Sequence, residues 1–258
     1  FKFMNEIAIY PSLKNKTVII TGGASGIGSS IVENFLQQGS KVAFLDKEVE
    51  LGNKLVSNLN NYDHKALFKV CDLKNIKHLQ DSIIEIKKEL GPISILVNNA
   101  ANDERHHIDD VTEEFWDERY QVNLRHYFFA TQSVYKDMKE LGKGAIVNIG
   151  SFSWMLGQGN MPAYTSAKSA VQGLTRTLAR DLGEYNIRVN CVVPGWILTE
   201  RQKNLWLTPE AEKQQLERQC IKRMLIPEDI AKPVLFFASE QSSGCTAQNY
   251  VVDGGVVN

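Results

Sequence analysis

Val18-Ile19-Ile20-Thr21-Gly22-Gly23-Ala24-Ser25-Gly26-Ile27-Gly28 is the stretch that decides the fold. An apolar, β-branched run stops at a glycine-rich turn, and a helix-length segment follows from Gly28 to Gln38. This is the strand, turn and helix context of a dinucleotide fingerprint. Gly22, Gly26 and Gly28 would let the backbone approach a pyrophosphate, and the free N–H groups of the helix start would receive it. The competing reading is a glycine-rich turn that binds nothing.

Outward from this turn, similar runs recur at Lys41 to Leu45, Ala66 to Val70, Ile93 to Val97, Ala145 to Ile149, Arg188 to Val193 and Tyr250 to Val252. They are mostly apolar without alternation, which suits strands covered on both faces. Helix-length stretches lie between them, among them Asn75 to Leu90, Thr112 to Leu141 and Pro162 to Leu182. The alternation predicts an α/β fold, a single-domain Rossmann-type doubly wound parallel sheet of about seven strands with helices on both faces. No repeat or linker divides residues 1–258. The segment from Gly195 to Met224 has little sheet character and carries Trp196, Trp206 and a helix start at Thr208-Pro209-Glu210. It is expected to form a helical substrate lid at about 196–224, with plain packing as the alternative.

The chain has 258 residues, 43% hydrophobic and 23% charged, with a formal net charge of -1. It offers no global attraction to nucleic acid or to an anionic membrane, so a small-molecule ligand is expected. Cys71, Cys191, Cys220 and Cys245 lie far apart, without the close pairs of metal or redox motifs. They read as buried thiols in a reducing compartment. The opening Phe1-Lys2-Phe3-Met4-Asn5-Glu6 has no apolar stretch of signal-peptide length, and a cytoplasmic location is expected. The residues before Met4 read as a vector-derived addition.

Asp46 ends the second run, about 20 residues after the glycines, where a carboxylate accepts hydrogen bonds from an adenosine ribose. The same charge would repel a 2′-phosphate, and the glycine loop, with Ser25 before Gly26, has no lysine or arginine. Both features point to NAD over NADP, although Lys47 could partly neutralise Asp46.

Tyr164 precedes Lys168 by one helical turn, so both side chains share a face. Unit charges about 4 Å apart at an effective dielectric of about 20 interact by roughly 4 kcal/mol. At about 1.4 kcal/mol per pKa unit, an ammonium there could bring a phenol toward neutrality and make it a base. A core tyrosine beside a solvated lysine is the alternative.

The whole pattern resembles the short-chain dehydrogenase/reductase family from about Leu13 to Asn258. The resemblance is carried by the glycine motif, Asp72, Asn98-Asn99-Ala100, Asn123, Ser151, Tyr164 with Lys168, and Pro194-Gly195. It implies that Tyr164 transfers the proton, Lys168 lowers its pKa and binds the nicotinamide ribose, Ser151 orients the reacting oxygen, and Asn123 holds a water reaching Lys168. It also implies a cofactor-binding set of Gly22, Ser25, Gly26, Ile27, Gly28, Asp46, Asp72, Leu73, Asn98, Ala100, Tyr164, Lys168, Pro194, Gly195, Ile197 and Thr199. Ala101 departs from the family's usual glycine, which implies a reshaped pocket and not a lost reaction. Hydride would pass to NAD⁺ without a metal.

The loops Asn102-Asp103-Glu104-Arg105-His106-His107 and Ser153-Trp154-Met155-Leu156-Gly157-Gln158-Gly159-Asn160 are polar, which suits a hydroxyl-rich substrate. Substrate contacts are expected from Asn102, Ser151, Ser153, Trp154, Gln158, Tyr164, Trp196 and Arg201. Asp103 and Glu104 could instead pair with Arg105 in solvent, and Trp154 could be core. His106 and His107 are adjacent, not at the four-residue spacing of a zinc motif. The chain resembles the family's aldose 1-dehydrogenase branch, which implies oxidation of a sugar C1 hydroxyl to the lactone. Other polar alcohols or ketones, such as polyols, keto acids or 3-oxoacyl compounds, are the alternative, and a catalytically silent NAD-binding scaffold or sensor is the non-enzyme one. The family also implies a homotetramer built through the two long helical stretches and the last strand.

Overall fold

The computed structural model describes residues 7–257, so the expectation about the residues before Met4 lies outside the described residues. The strands are β1 (Thr17–Thr21), β2 (Lys41–Asp46), β3 (Leu67–Val70), β4 (Ile95–Asn98), β5 (Gly144–Ile149), β6 (Ile187–Pro194) and β7 (Asn249–Val252). They form one sheet in the order β3-β2-β1-β4-β5-β6-β7, parallel throughout. The doubly wound expectation holds, and the order reverses between β1 and β4, where such sheets open a crevice beyond their carboxyl ends.

Alternate residues of the strands enter two cores. Val18, Ile20, Val42, Phe44, Ile95, Val97 and Val147 pack on one face with α1 (Gly26–Gln37), α2 (Val49–Asn58) and a later helix, Pro227–Ala238. Ile19, Ala43, Leu45, Leu96, Ile146 and Val189 pack on the other with α3 (Ile76–Leu90) and two further helices. Apolar side chains on both faces explain the continuous runs in the sequence. Asn75 caps α3 by accepting the His78 N–H at 3.0 Å.

The expected helix from Thr112 to Leu141 is broken into α4 (Glu113–Tyr120) and α5 (His126–Glu140) by a π-helical turn over Gln121–Arg125. The next helix, α6 (Pro162–Leu182), begins with proline at its first position, which needs no amide partner there. The segment after β6 is helical as expected, with α7 (Glu200–Leu205) and α8 (Pro209–Arg218), and α9 (Pro227–Ala238) returns to the sheet. No helix among the described residues is long and apolar enough to cross a membrane.

Phe44 is fully buried at the centre of one core and stacks on Phe68 with ring centroids 4.9 Å apart. Truncation leaves a cavity that neighbouring strands cannot close, so Phe44→Ala should cost about 3–5 kcal/mol in urea unfolding.

Candidate active site

At the sheet's reversal point the turn after β1 meets the end of β4. Thr21 Oγ1 accepts the N–H groups of Asn99 and Ala100, at 2.9 and 3.2 Å. The Asn99 amide donates back to the carbonyls of Thr21 and Gly22, at 3.0 and 2.9 Å. Contact is so close that a Cβ on Gly22 would lie 2.7 Å from the Ala100 Cα, and one on Gly28 would lie 1.9 Å from the Gly22 carbonyl oxygen. Gly22 also has φ +67°, a conformation glycine adopts at no steric cost. Ser25 precedes α1 without capping it, and no acidic residue occupies the first turn. The start of α1 therefore keeps the amide groups and dipole of an anion cradle.

The cradle opens into a cleft of about 1390 Å³, larger than the ~300–1,000 Å³ of ordinary small-molecule pockets and suited to a dinucleotide with a small substrate. Asp46 stands at one end, its carboxylate fixed by the N–H groups of Ala24 at 3.0 Å and Glu48 at 3.1 Å. Lys47 pairs with Glu48 at 3.8 Å. Of the residues expected to bind a cofactor, the cleft is lined by Gly22, Ser25, Gly26, Ile27, Gly28, Asp46, Asp72, Leu73, Ala100, Tyr164, Lys168, Pro194, Gly195, Ile197 and Thr199.

Asn98 is the exception. It is fully buried, and its amide donates to Asn148 Oδ1 at 2.9 Å. As the last residue of β4 its side chain is used between strands, and the next residue, Asn99, lines the cleft instead. Trp154 also falls outside the lining, although Phe152 and Ser153 of the same 3₁₀ turn belong to it. Asn102, Ser151, Ser153, Gln158, Trp196 and Arg201 line the cleft, joined by Asp103, Arg105, Leu156, Met161, Gln202 and Trp206.

Tyr164 and Lys168 face this cleft from α6, 9% and 1% exposed. A buried ammonium needs acceptors, and Lys168 Nζ donates to Tyr127 Oη at 2.9 Å and to the Ile149 carbonyl at 2.8 Å. Tyr127 in turn donates to Ile149 O at 2.9 Å. Tyr127 is a partner that sequence reasoning missed; its place two residues after the π-helical segment carries no motif. Burial lowers Lys168 to about 8, against the opposing effects of Cys191 and Asp103.

Burial also pushes the Tyr164 phenol up to about 12, with Asp103 adding to the rise and Ser151 and Arg105 opposing it. The ammonium lies 5.9 Å from the Tyr164 ring centroid. Burial is the largest cause of the rise, and it favours the protonated phenol. Ser151 Oγ donates to Ser153 Oγ at 3.0 Å and accepts the Ser153 N–H at 3.2 Å. Asn123 sits in the π-helical turn, fully buried, and its amide is taken by the backbone of Asn102: Oδ1 accepts its N–H at 2.8 Å and Nδ2 donates to its carbonyl at 3.2 Å. The expected water-holding side chain is thus a clamp on the loop after β4.

That loop is tied to α7. Asp103 accepts from Gln202 at 2.7 Å and from Arg201 at 3.2 Å, and Trp196 donates to Gln202 at 2.8 Å. Among the described residues, no cluster of His, Cys, Asp or Glu has the makings of a metal site. Cys71 and Cys191 are buried as expected, whereas Cys220 is exposed and Cys245 half-buried.

A family model described as enoyl-(acyl carrier protein) reductase matches residues 22–257. D-xylose 1-dehydrogenase of Caulobacter vibrioides is 47% identical over 248 residues, 96% of this chain and 98% of that protein. This chain belongs to the short-chain dehydrogenase/reductase family. A probable galactose dehydrogenase of Rhizobium meliloti is 45% identical over 251 residues, 96% of this chain and 97% of that protein. The crystal structure of a putative short-chain alcohol dehydrogenase from Sinorhizobium meliloti superposes with a TM-score of 0.90 at 27% identity, covering 95% of this chain and 98% of that one. Like other short-chain dehydrogenases/reductases, the protein is an oxidoreductase, of a family that uses a nicotinamide cofactor. The free amides of α1, the glycine contacts and the fixed Asp46 fit such a cofactor.

His126 fastens this family site from behind. Its Nε2 lies 3.1 Å from the Ala100 carbonyl and 3.0 Å from that of Val122, and burial lowers its pKa to about 3. The unfolded chain protonates this residue near its ordinary 6.5 while the folded chain does not. Stability should therefore be full above that value and fall on acidification toward about 3, by at most about 1.4 kcal/mol per pH unit. Urea unfolding at stepped pH should show this slope, and His126→Asn should flatten it.

Proposed function

We propose that the protein oxidises the C1 hydroxyl of an aldose to the lactone with NAD⁺. The observation that carries this reading is one cleft in which Ser151, Tyr164 and Lys168 adjoin a polar outer wall of Asn102, Asp103, Gln158, Arg201 and Gln202. Hydroxyl-rich substrates need such donors and acceptors. The similarity to D-xylose 1-dehydrogenase and to a probable galactose dehydrogenase supports a sugar over other alcohols.

In this reading Tyr164 Oη takes the proton of the C1 hydroxyl while Ser151 Oγ holds the same oxygen. Bound NAD⁺ supplies the acceptor for the C1 hydride and a positive ring that favours the ionised phenol. Lys168 has three donors, and with two committed to Tyr127 and Ile149 the third serves a ribose hydroxyl. Asn123 holds the loop after β4, and α7 with α8 closes over substrate as a lid. The carboxylate of Asp46, held by two amides, accepts the adenosine ribose hydroxyls and excludes a 2′-phosphate. The protein works in the cytoplasm as a homotetramer; exposed Phe128 on α5 and Tyr250 on the edge strand β7 support contacts between copies.

The first test is NADH formation across aldoses, alditols and simple secondary alcohols. Turnover should be highest with aldoses, and Tyr164→Phe should lower kcat by about 10²–10⁴ while leaving NAD⁺ binding nearly intact. Activity confined to alditols or simple alcohols would reject the aldose reading. Asp46→Asn should narrow the preference for NAD⁺ over NADP⁺ by about tenfold or more in kcat/KM, as expected when a fixed charge near a phosphate is removed. Steady-state kinetics with both cofactors measures that ratio.

A further inference from the structure

One side chain of the loop after β4 reaches the helix that carries Tyr164. His106 is 8% exposed and lies edge-on to Phe115, with ring centroids 4.8 Å apart. Its main-chain N–H donates to Asn160 O at 2.8 Å. Its Nδ1 is 2.9 Å from the Glu104 carbonyl, and its Nε2 is 3.2 Å from the Ala163 amide nitrogen. A carbonyl only accepts and a backbone N–H only donates. The ring therefore carries its proton on Nδ1 and offers a lone pair at Nε2.

The first turn of α6 needs that acceptor. Helix starts leave amides without intrahelical partners, and the residue ahead of the helix commonly serves one with a side-chain oxygen. Here that residue is Met161, whose side chain makes no capping hydrogen bond, and Pro162 has no N–H. The fully buried Ala163, the neighbour of Tyr164, carries one of the amides left without an intrahelical acceptor. His106 supplies the missing cap from another part of the chain.

We propose that His106 is a positioning residue that fixes the first turn of α6, and with it the Tyr164 phenol, through the Ala163 amide. The same loop carries Asn102, clamped by Asn123, and Asp103, bonded to α7. The histidine thus joins the loop that reaches the lid to the element that bears the base. The claim rests on Tyr164 being the proton acceptor of the proposed reaction.

The test compares His106→Leu with His106→Gln, whose amide oxygen can still accept from Ala163. Small misplacements of a reacting group cost up to about 100-fold, so His106→Leu should lower kcat by about tenfold or more, with substrate KM and cofactor dissociation constant within about twofold. His106→Gln should recover most of kcat. Nitrogen-15 spectra of the unsubstituted protein should show His106 protonated at Nδ1 and His126, which faces two carbonyls through Nε2, protonated at Nε2. An Nε2-protonated His106, equal kcat in the leucine variant, or a change confined to KM or melting temperature would overturn the proposal. If the leucine variant fails to fold, the glutamine variant and the spectra decide, since a glutamine variant as slow as Tyr164→Phe also overturns it. Absence of aldose turnover in the unsubstituted protein would instead reject the sugar reading, and the variants are then compared on whichever alcohol it oxidises.

Discussion

The hydrogen-bond exchange between Thr21 and Asn99 holds together the two halves of the sheet at the point where its order reverses. Thr21 ends β1 and Asn99 follows β4, strands separated in sequence by β2, β3 and three helices. Their mutual bonds bring the glycine turn against Ala100, which sets the floor of the cleft. From that contact follow the free start of α1 on one side and the loop that carries Asn102 to His106 on the other. A parallel sheet has to open a crevice at its reversal; in this chain these four hydrogen bonds fix how wide it opens.

Burial acts against charge on both functional groups of the cleft. It drives the Tyr164 phenol toward its neutral form and the Lys168 ammonium toward its own, so neither group gains charge from its surroundings alone. The fold answers by giving Lys168 oxygen acceptors, through Tyr127 and Ile149, and leaving Tyr164 with only Ser151 and Arg105 working against its rise. As the cleft stands, its surroundings favour the protonated phenol.

Much of this was legible in the sequence. The unbroken apolar runs gave seven parallel strands in nearly the right places, and the glycine spacing, Asp46 and the Tyr164–Lys168 turn located the cleft. The failures have a common physical origin. Asn98 and Asn99 differ by one residue, and which one faces a cleft depends on where a strand stops, a boundary periodicity does not resolve. Trp154 depends on a single 3₁₀ turn, and Tyr127 and His106 act across long separations in sequence, where no local pattern records a partner. The π-helical turn at Asn123 was hidden because one extra residue inside a helix leaves its composition unchanged.

That turn carries a cost for anyone engineering the protein. Taking one residue out of Gln121–Arg125 would let α4 and α5 run on as a single regular helix with more regular backbone hydrogen bonds. The same deletion would rotate one end of the helix by about 100° relative to the other. Asn123 would lose Asn102, His126 would lose Ala100, and the regularised helix would have given up the clamp on the loop after β4.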